Sequence, residues 1–171
     1  VKWTAPADDG GSSVTGYIIT VSPVGTIVTV DSARSTSEVV GSLTNGLSYT
    51  FTVKAVNAAG NSAESDATRS VTPLGIPDAP TSVTASAGNT NALINWAAPS
   101  ADGGSPVTGY TITASNRGGN QSVGPREISV LFTGLVNGLS YSFTVVAIND
   151  VGDSSLSRAS NSVTPSSRSR P

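Results

Sequence analysis

The sequence predicts an all-β protein made of two tandem antiparallel β-sandwiches, and three observations support that class. The first is an internal repeat. At an offset of 93 residues, Trp3-Thr-Ala-Pro6 falls on Trp96-Ala-Ala-Pro99, and Val14-Thr-Gly-Tyr17 falls on Val107-Thr-Gly-Tyr110. At an offset of 92, Asn45-Gly-Leu-Ser-Tyr49 falls on Asn137-Gly-Leu-Ser-Tyr141, with Asn57 on Asn149 and Gly60 on Gly152. Self-similarity of this length marks two copies of one domain, with the one-residue difference absorbed in a loop. The second observation is alternation: Tyr141, Phe143, Val145 and Ala147 share one face at period two. The third is the lack of any stretch that keeps a helical period over three turns. Charged residues are only 12% of the chain, about half the usual share, which suits polar turns and strand faces better than charged helix surfaces.

The elements follow in order. In the first copy, β-branched and aromatic runs bounded by Gly, Asn, Asp, Ser and Pro place strands near 15–22, 26–31, 36–40, 49–57 and 67–72. In the second they fall near 81–85, 92–96, 107–115, 126–133, 141–149 and 157–163, with a short edge strand around 121–125. The Val-Thr-Pro ending at Pro73 recurs at Pro165. The predicted domains are therefore 1–73 and 80–165, joined by a Pro-rich linker, 74–79, and followed by a tail, 166–171. Proline fixes φ and extends the residue before it, so the linker reads as a semi-rigid spacer.

A Trp on the second strand, then Pro, Asp-Gly-Gly and Val-Thr-Gly-Tyr-x-Ile, resembles a fibronectin type III domain of the bacterial extracellular kind. The run Leu-x-Asn-Gly-x-x-Tyr-x-Phe-x-Val-x-Ala-x-Asn-x-x-Gly, at Leu43–Gly60 and again at Leu135–Gly152, is similar to the same family. The resemblance implies an immunoglobulin-like sandwich in each copy. It also implies a tyrosine corner at Tyr49 and Tyr141, whose rings enter the core while the hydroxyls bond to backbone just upstream. Aligned across the repeat, Trp3, Tyr17, Tyr49 and Phe51 match Trp96, Tyr110, Tyr141 and Phe143 at inward-facing positions, and Phe132 matches Val40. These eight rings form the expected structural core.

The first copy is incomplete. Val1-Lys-Trp3 aligns with Ile94-Asn-Trp96, so the opening strand and half of the second have no counterpart. A sandwich without an edge strand exposes backbone donors and acceptors that invite pairing. Three readings stay open: the strand lies upstream in a longer chain, a neighbouring subunit donates it, or this domain runs with one strand fewer.

Composition narrows the chemistry. With no Cys and no His, thiolate nucleophiles, zinc-finger spacings and imidazole acid–base catalysis are excluded. The net charge is −2 and the nine basic residues are scattered, which argues against tracking a phosphate backbone. No apolar run is long enough to cross a bilayer as a helix. Asp9 and Asp102 flank Gly-Gly turns and read as turn-capping residues rather than an acid–base pair. No catalytic, metal-binding or cofactor-binding residue is expected, and the chain is not expected to be an enzyme. Sugar platforms use exposed rings, and the core claims every one, so carbohydrate binding is not expected. The loop where the copies diverge most, with Asn116, Arg117, Asn120 and Gln121, is the candidate contact surface. Partners are expected to be proteins or further copies, met through sheet edges and loops.

The expected role is a non-catalytic structural or interaction module of a larger secreted or surface-displayed bacterial assembly, with a strand-exchanged filament as one form of it. The alternatives are accessory domains of an extracellular polysaccharide hydrolase, or a structural or host-contacting part of a phage virion. Tyr141→Phe is expected to lower stability by about 1 kcal/mol through a lost hydrogen bond; an unchanged denaturation midpoint would argue against the tyrosine corner.

Overall fold

The computed structural model describes residues 1–167, so residues 168–171 of the predicted tail lie outside the described residues. The chain divides into two compact units, Val1–Pro73 and Leu74–Pro171.

The first unit is built on one antiparallel sheet. Its strands are β1 (Gly16–Ser22), β2 (Thr26–Val30), β3 (Thr50–Asn57) and β4 (Gly60–Asn61), in the order β2-β1-β3-β4. Period-two alternation on β1 buries Tyr17, Ile19 and Val21 together, and β3 adds Phe51 to the same face. The register opposes Ile19 to Val28 on one side and to Val53 on the other. The facing layer is thin: Lys2 bridges Ser37, the Trp3 amide donates to the Thr36 carbonyl at 3.0 Å, and the Glu38 amide donates to Val1 at 3.0 Å. The strand expected at 36–40 is thus a single bridge, because its partner here is only the short stretch Val1–Trp3. Val39 remains 88% exposed.

The second unit has both layers. Strands β5 (Thr81–Ala87), β6 (Asn91–Ala97) and β9 (Ser129–Thr133) form one sheet, ordered β5-β6-β9. Strands β7 (Gly109–Ala114), β8 (Asn120–Val123) and β10 (Phe143–Ile148) form the other, ordered β10-β7-β8. Ala92, Ile94 and Trp96 of β6 meet Tyr110, Ile112, Phe143 and Val145 from the opposite sheet. Aromatic rings fix the spacing: Trp96 lies 5.4 Å from Tyr110 and Phe132 lies 5.3 Å from Phe143, centroid to centroid, both tilted. Such tilted pairs add to burial through their quadrupoles. The tyrosine hydroxyls close the corners, with the Thr44 amide donating to Tyr49 at 2.9 Å and the Val136 amide donating to Tyr141 at 3.2 Å.

The closing segments of both units depart from the sequence expectation. Neither 67–72 nor 157–163 is a ladder strand; each has one isolated bridge, Tyr49 to Val71 and Tyr141 to Val163. Between turn and bridge, a hydroxyl residue stands every third position instead. The amides of Ser154, Ser157 and Ser160 donate to the carbonyls of Ala147, Val145 and Phe143 at 2.8, 3.0 and 2.9 Å. The same three hydroxyl oxygens accept the amides of Ala147, Val145 and Phe143 at 3.0, 2.9 and 3.0 Å. Each hydroxyl then donates to the next carbonyl along its own segment. One serine thus offers β10 the donor and the acceptor that a paired strand would, while the segment advances three residues for every two of β10. Ser62, Ser65 and Thr68 do the same against Ala55, Val53 and Phe51.

The clamps differ in burial. Ser157 is 7% exposed, whereas Ser65 is exposed. Removing a partner from a buried amide costs its full desolvation, about 1–3 kcal/mol, while water replaces a partner at the surface. Ser157→Ala is therefore expected to destabilise the second unit by about 2 kcal/mol in denaturant titration, and Ser65→Ala the first by clearly less; equal effects would contradict the clamp's dependence on burial.

Candidate functional site

The polar chemistry of each unit converges where the Asp-Gly-Gly loop meets the turn after the long strand. In the first unit the Asn57 amide nitrogen donates to the carbonyls of Asp9 and Ser12 at 2.7 and 3.0 Å. Its oxygen accepts the amides of Ala59 and Gly60 at 2.9 and 3.1 Å. One side chain therefore ties the two loops while shaping its own turn. Asp8 and Asp9 each accept an amide two residues on, from Gly10 and Gly11, both at 2.9 Å. These carboxylates are engaged as turn acceptors.

The second unit repeats the arrangement and adds to it. Asn149 donates to Asp102 at 2.8 Å and Ser105 at 3.2 Å, and accepts the amides of Val151 and Gly152 at 2.9 and 3.0 Å. It also donates to the Gly75 carbonyl at 2.8 Å. Gly75 in turn donates to the Gly103 carbonyl at 2.8 Å, and the Asp78 amide donates to Ala101 at 2.9 Å. The 74–79 stretch, read from sequence as a spacer, is thus hydrogen-bonded into the second unit. Asn149 is 4% exposed, while Asn57 is half-buried and its bonds to Asp9, Ala59 and Gly60 are exposed. In the first unit the corresponding space is a cleft of about 390 Å³ between Pro6, Asp8–Gly10 and Ala59–Ser62.

The other residues singled out from sequence are placed as follows. Tyr17, Tyr49, Phe51, Trp96, Tyr110, Tyr141 and Phe143 are buried in the two cores, and Trp3 is half-buried against Tyr17 with ring centroids 5.1 Å apart. Burial pushes the Tyr110 hydroxyl above its ordinary pKa. The indole nitrogens of Trp3 and Trp96 are both buried without a hydrogen-bond partner; their recurrence at matched positions makes this a property of the scaffold. Asn116 and Arg117 form a tight turn at φ of 51° and 61°, and the Asn116 side chain donates to the Ser140 carbonyl at 2.6 Å. Asn120 and Gln121 lie on edge strand β8. The structure thus splits this set between a fixed turn and a strand edge. The side chains of Asn57 and Asn149 were missed as a site, although their matched positions after an alternating strand are visible in the repeat.

The two halves share the strand order β2-β1-β3 and β8-β7-β10 in one sheet, the same tyrosine corner and the same asparagine tie. The fibronectin type III domain profile matches residues 1–71 and 78–163. The chain belongs to the fibronectin type III family. Among curated relatives it is 37% identical over 172 residues to chitinase A1 of Niallia circulans, covering 95% of this chain and 23% of that protein. It is 32% identical over 180 residues to exoglucanase B of Cellulomonas fimi, covering 100% of this chain and 16% of that one. The titin homolog of Caenorhabditis elegans is 30% identical over 166 residues, covering 89% of this chain and 1% of that protein. The chain thus spans less than a quarter of the length of these relatives. Among solved structures, the twitchin kinase region of C. elegans is similar with a TM-score of 0.50 and 28% identity, covering 56% of this chain and 18% of that one.

The two asparagines make different claims on stability. Asn149→Ala leaves buried carbonyls and amides without partners and is expected to cost about 2–3 kcal/mol. Asn57→Ala opens its groups to water and is expected to cost about 1 kcal/mol. Denaturant titration that resolves the two units checks the order; a larger loss at Asn57 would contradict it.

Proposed function

We propose that these tandem fibronectin type III domains act as a non-catalytic structural segment within a longer secreted bacterial protein, of the kind that carries polysaccharide-hydrolysing domains. The single observation that carries the reading is where the chemistry-bearing groups are spent. Every aromatic ring except half-buried Trp3 lies in a core, so no exposed ring platform is offered to a sugar. The Asp8, Asp9 and Asp102 carboxylates cap their own turns, and the side chains of Asn57, Asn149, Ser154, Ser157 and Ser160 close internal bonds. What such a scaffold supplies is spacing and backbone-lined surface. The chitinase and exoglucanase relatives, which this chain matches over nearly its whole length, support the hydrolase setting and an extracellular location.

The chain alone is expected to release no reducing sugar from chitin or cellulose, and to stay in the supernatant when either insoluble polymer is sedimented. Hydrolysis, or retention on a polymer that a single surface substitution abolishes, would contradict the proposal.

A further inference from the structure

The phase of the hydrogen bonds across the first unit's sheet decides which backbone groups of β2 face outward. On β3, the amides and carbonyls of Phe51, Val53 and Ala55 are taken by Thr68, Ser65 and Ser62. Successive residues of an antiparallel strand bond to opposite sides. Thr50, Thr52, Lys54 and Val56 therefore turn to β1, where they oppose Ser22, Thr20, Ile18 and Gly16. That leaves Tyr17, Ile19 and Val21 to bond with Val30, Val28 and Thr26 of β2. The crowding at Gly16 agrees, since a Cβ there would collide with the Val30 carbonyl oxygen, which must face β1. Ile27 and Thr29 consequently direct their N–H and C=O groups away from the sheet. Among the described residues, no strand pairs with β2 on that side.

Proteins blunt such edges with charge, proline or a very short strand. The matched edge of the second unit follows that rule. Strand β8 has four residues, turns the backbone of Asn120 and Ser122 outward by the same count, and runs into Gly124-Pro125. A carboxylate also guards its end, for a Cβ on Gly124 would lie 2.9 Å from Glu127. Strand β2 has none of these devices. Thr26-Ile-Val-Thr-Val30 is β-branched at every position and carries no charge, proline or glycine. Ile27 is 63% exposed, and Val24 in the turn before it is exposed as well. The strand is whole, with its hairpin to β1 in place, so its bare edge is a property of this sequence.

We propose that the β2 edge is a docking strand for a second copy of this chain, paired antiparallel about a two-fold axis. Ile27 then lies opposite the partner's Thr29, Thr29 opposite the partner's Ile27, and Val28 meets its own copy on the axis. Each outward N–H and C=O of Ile27 and Thr29 finds its complement in this register. No like charges are opposed, because Asp31 falls opposite the partner's Gly25. Val28, at the margin of the core, continues the apolar inner face across the axis. An uncharged strand offers a foreign partner of either sign no handle, whereas its own copy matches it in length, pattern and outward groups. The contact is isologous, so it closes as a pair. Five residues a side bury less than the ~1,000 Å² of a stable interface, so pairing is weak and depends on concentration. The inference goes beyond the spacer role and holds whichever longer protein carries the domains.

Amide exchange and sedimentation velocity of the full chain, from micromolar to millimolar concentration, test it. The Ile27 and Thr29 amides should slow about tenfold once about nine-tenths of the chains are paired, as the sedimenting mass doubles. Two double variants, both at exposed side chains, fix the register. Ile27→Lys with Thr29→Lys sets like charges opposite each other and should leave a monomer, whereas Ile27→Lys with Thr29→Glu sets opposite charges together and should restore the pair. A native chain that stays monomeric at millimolar concentration would overturn the proposal. So would pairing that survives the first double variant or is lost in the second. Protection of Ile27 and Thr29 that ignores concentration would make a segment of the same chain the occupant, and slowing at Asn120 and Ser122 instead would move the contact to β8; either result contradicts the proposal.

Discussion

Each unit is closed by hydroxyl groups that take the place of a strand. A β-strand at the edge of a core needs a partner that offers one donor and one acceptor per paired residue, or its buried amides lose hydrogen bonds. Along β10 that partner is a row of serines. The amides of Phe143, Val145 and Ala147 end on Ser160, Ser157 and Ser154, and the carbonyls of the same residues accept from those serines. Because one residue does the work of two backbone groups, the segment need not keep the β repeat. The inward-facing residues of β10, all below 1% exposure, depend on this arrangement for a sealed edge. The spare hydroxyl proton goes to the next carbonyl, which leaves no hydroxyl competing for another conformation.

The asparagine tie extends the same logic to the loop end. A side-chain amide has two donors and an acceptor with two lone pairs, and Asn149 uses them on two loops and on the incoming chain at once. Burial makes each bond costly to break. In the first unit the same residue type at the matched position holds two loops in water, and the facing sheet is reduced to one bridge. The two copies therefore share a backbone plan and differ in how much of it is covered.

Much of this was legible in the residues. The long strands Gly16–Ser22, Thr50–Asn57 and Phe143–Ile148 announced themselves because alternation is strong wherever one face is buried. The tyrosine corner was readable through the family resemblance, which the run from Leu135 to Gly152 carries and which assigns that role to Tyr141. The closing segments were misread as strands since a search for period two passes over serines at 154, 157 and 160, whose signal has period three. The seat of Gly75 and Ile76 was hidden for another reason. Prolines at 73, 77 and 80 speak for an extended chain, but an extended chain is equally compatible with free and docked states. Only the reach of Asn149, a contact across 74 residues of sequence, decides between them.

Native-state hydrogen exchange of the unmodified chain tests the hydroxyl closure most directly. Amides of β10 that pair with serine hydroxyls, those of Phe143, Val145 and Ala147, should exchange as slowly as the Ile112 amide at the centre of its sheet, all through opening of the whole unit. Exchange at Val145 that is faster than at Ile112 by orders of magnitude would show that the serines decorate an open edge, and the account would fail.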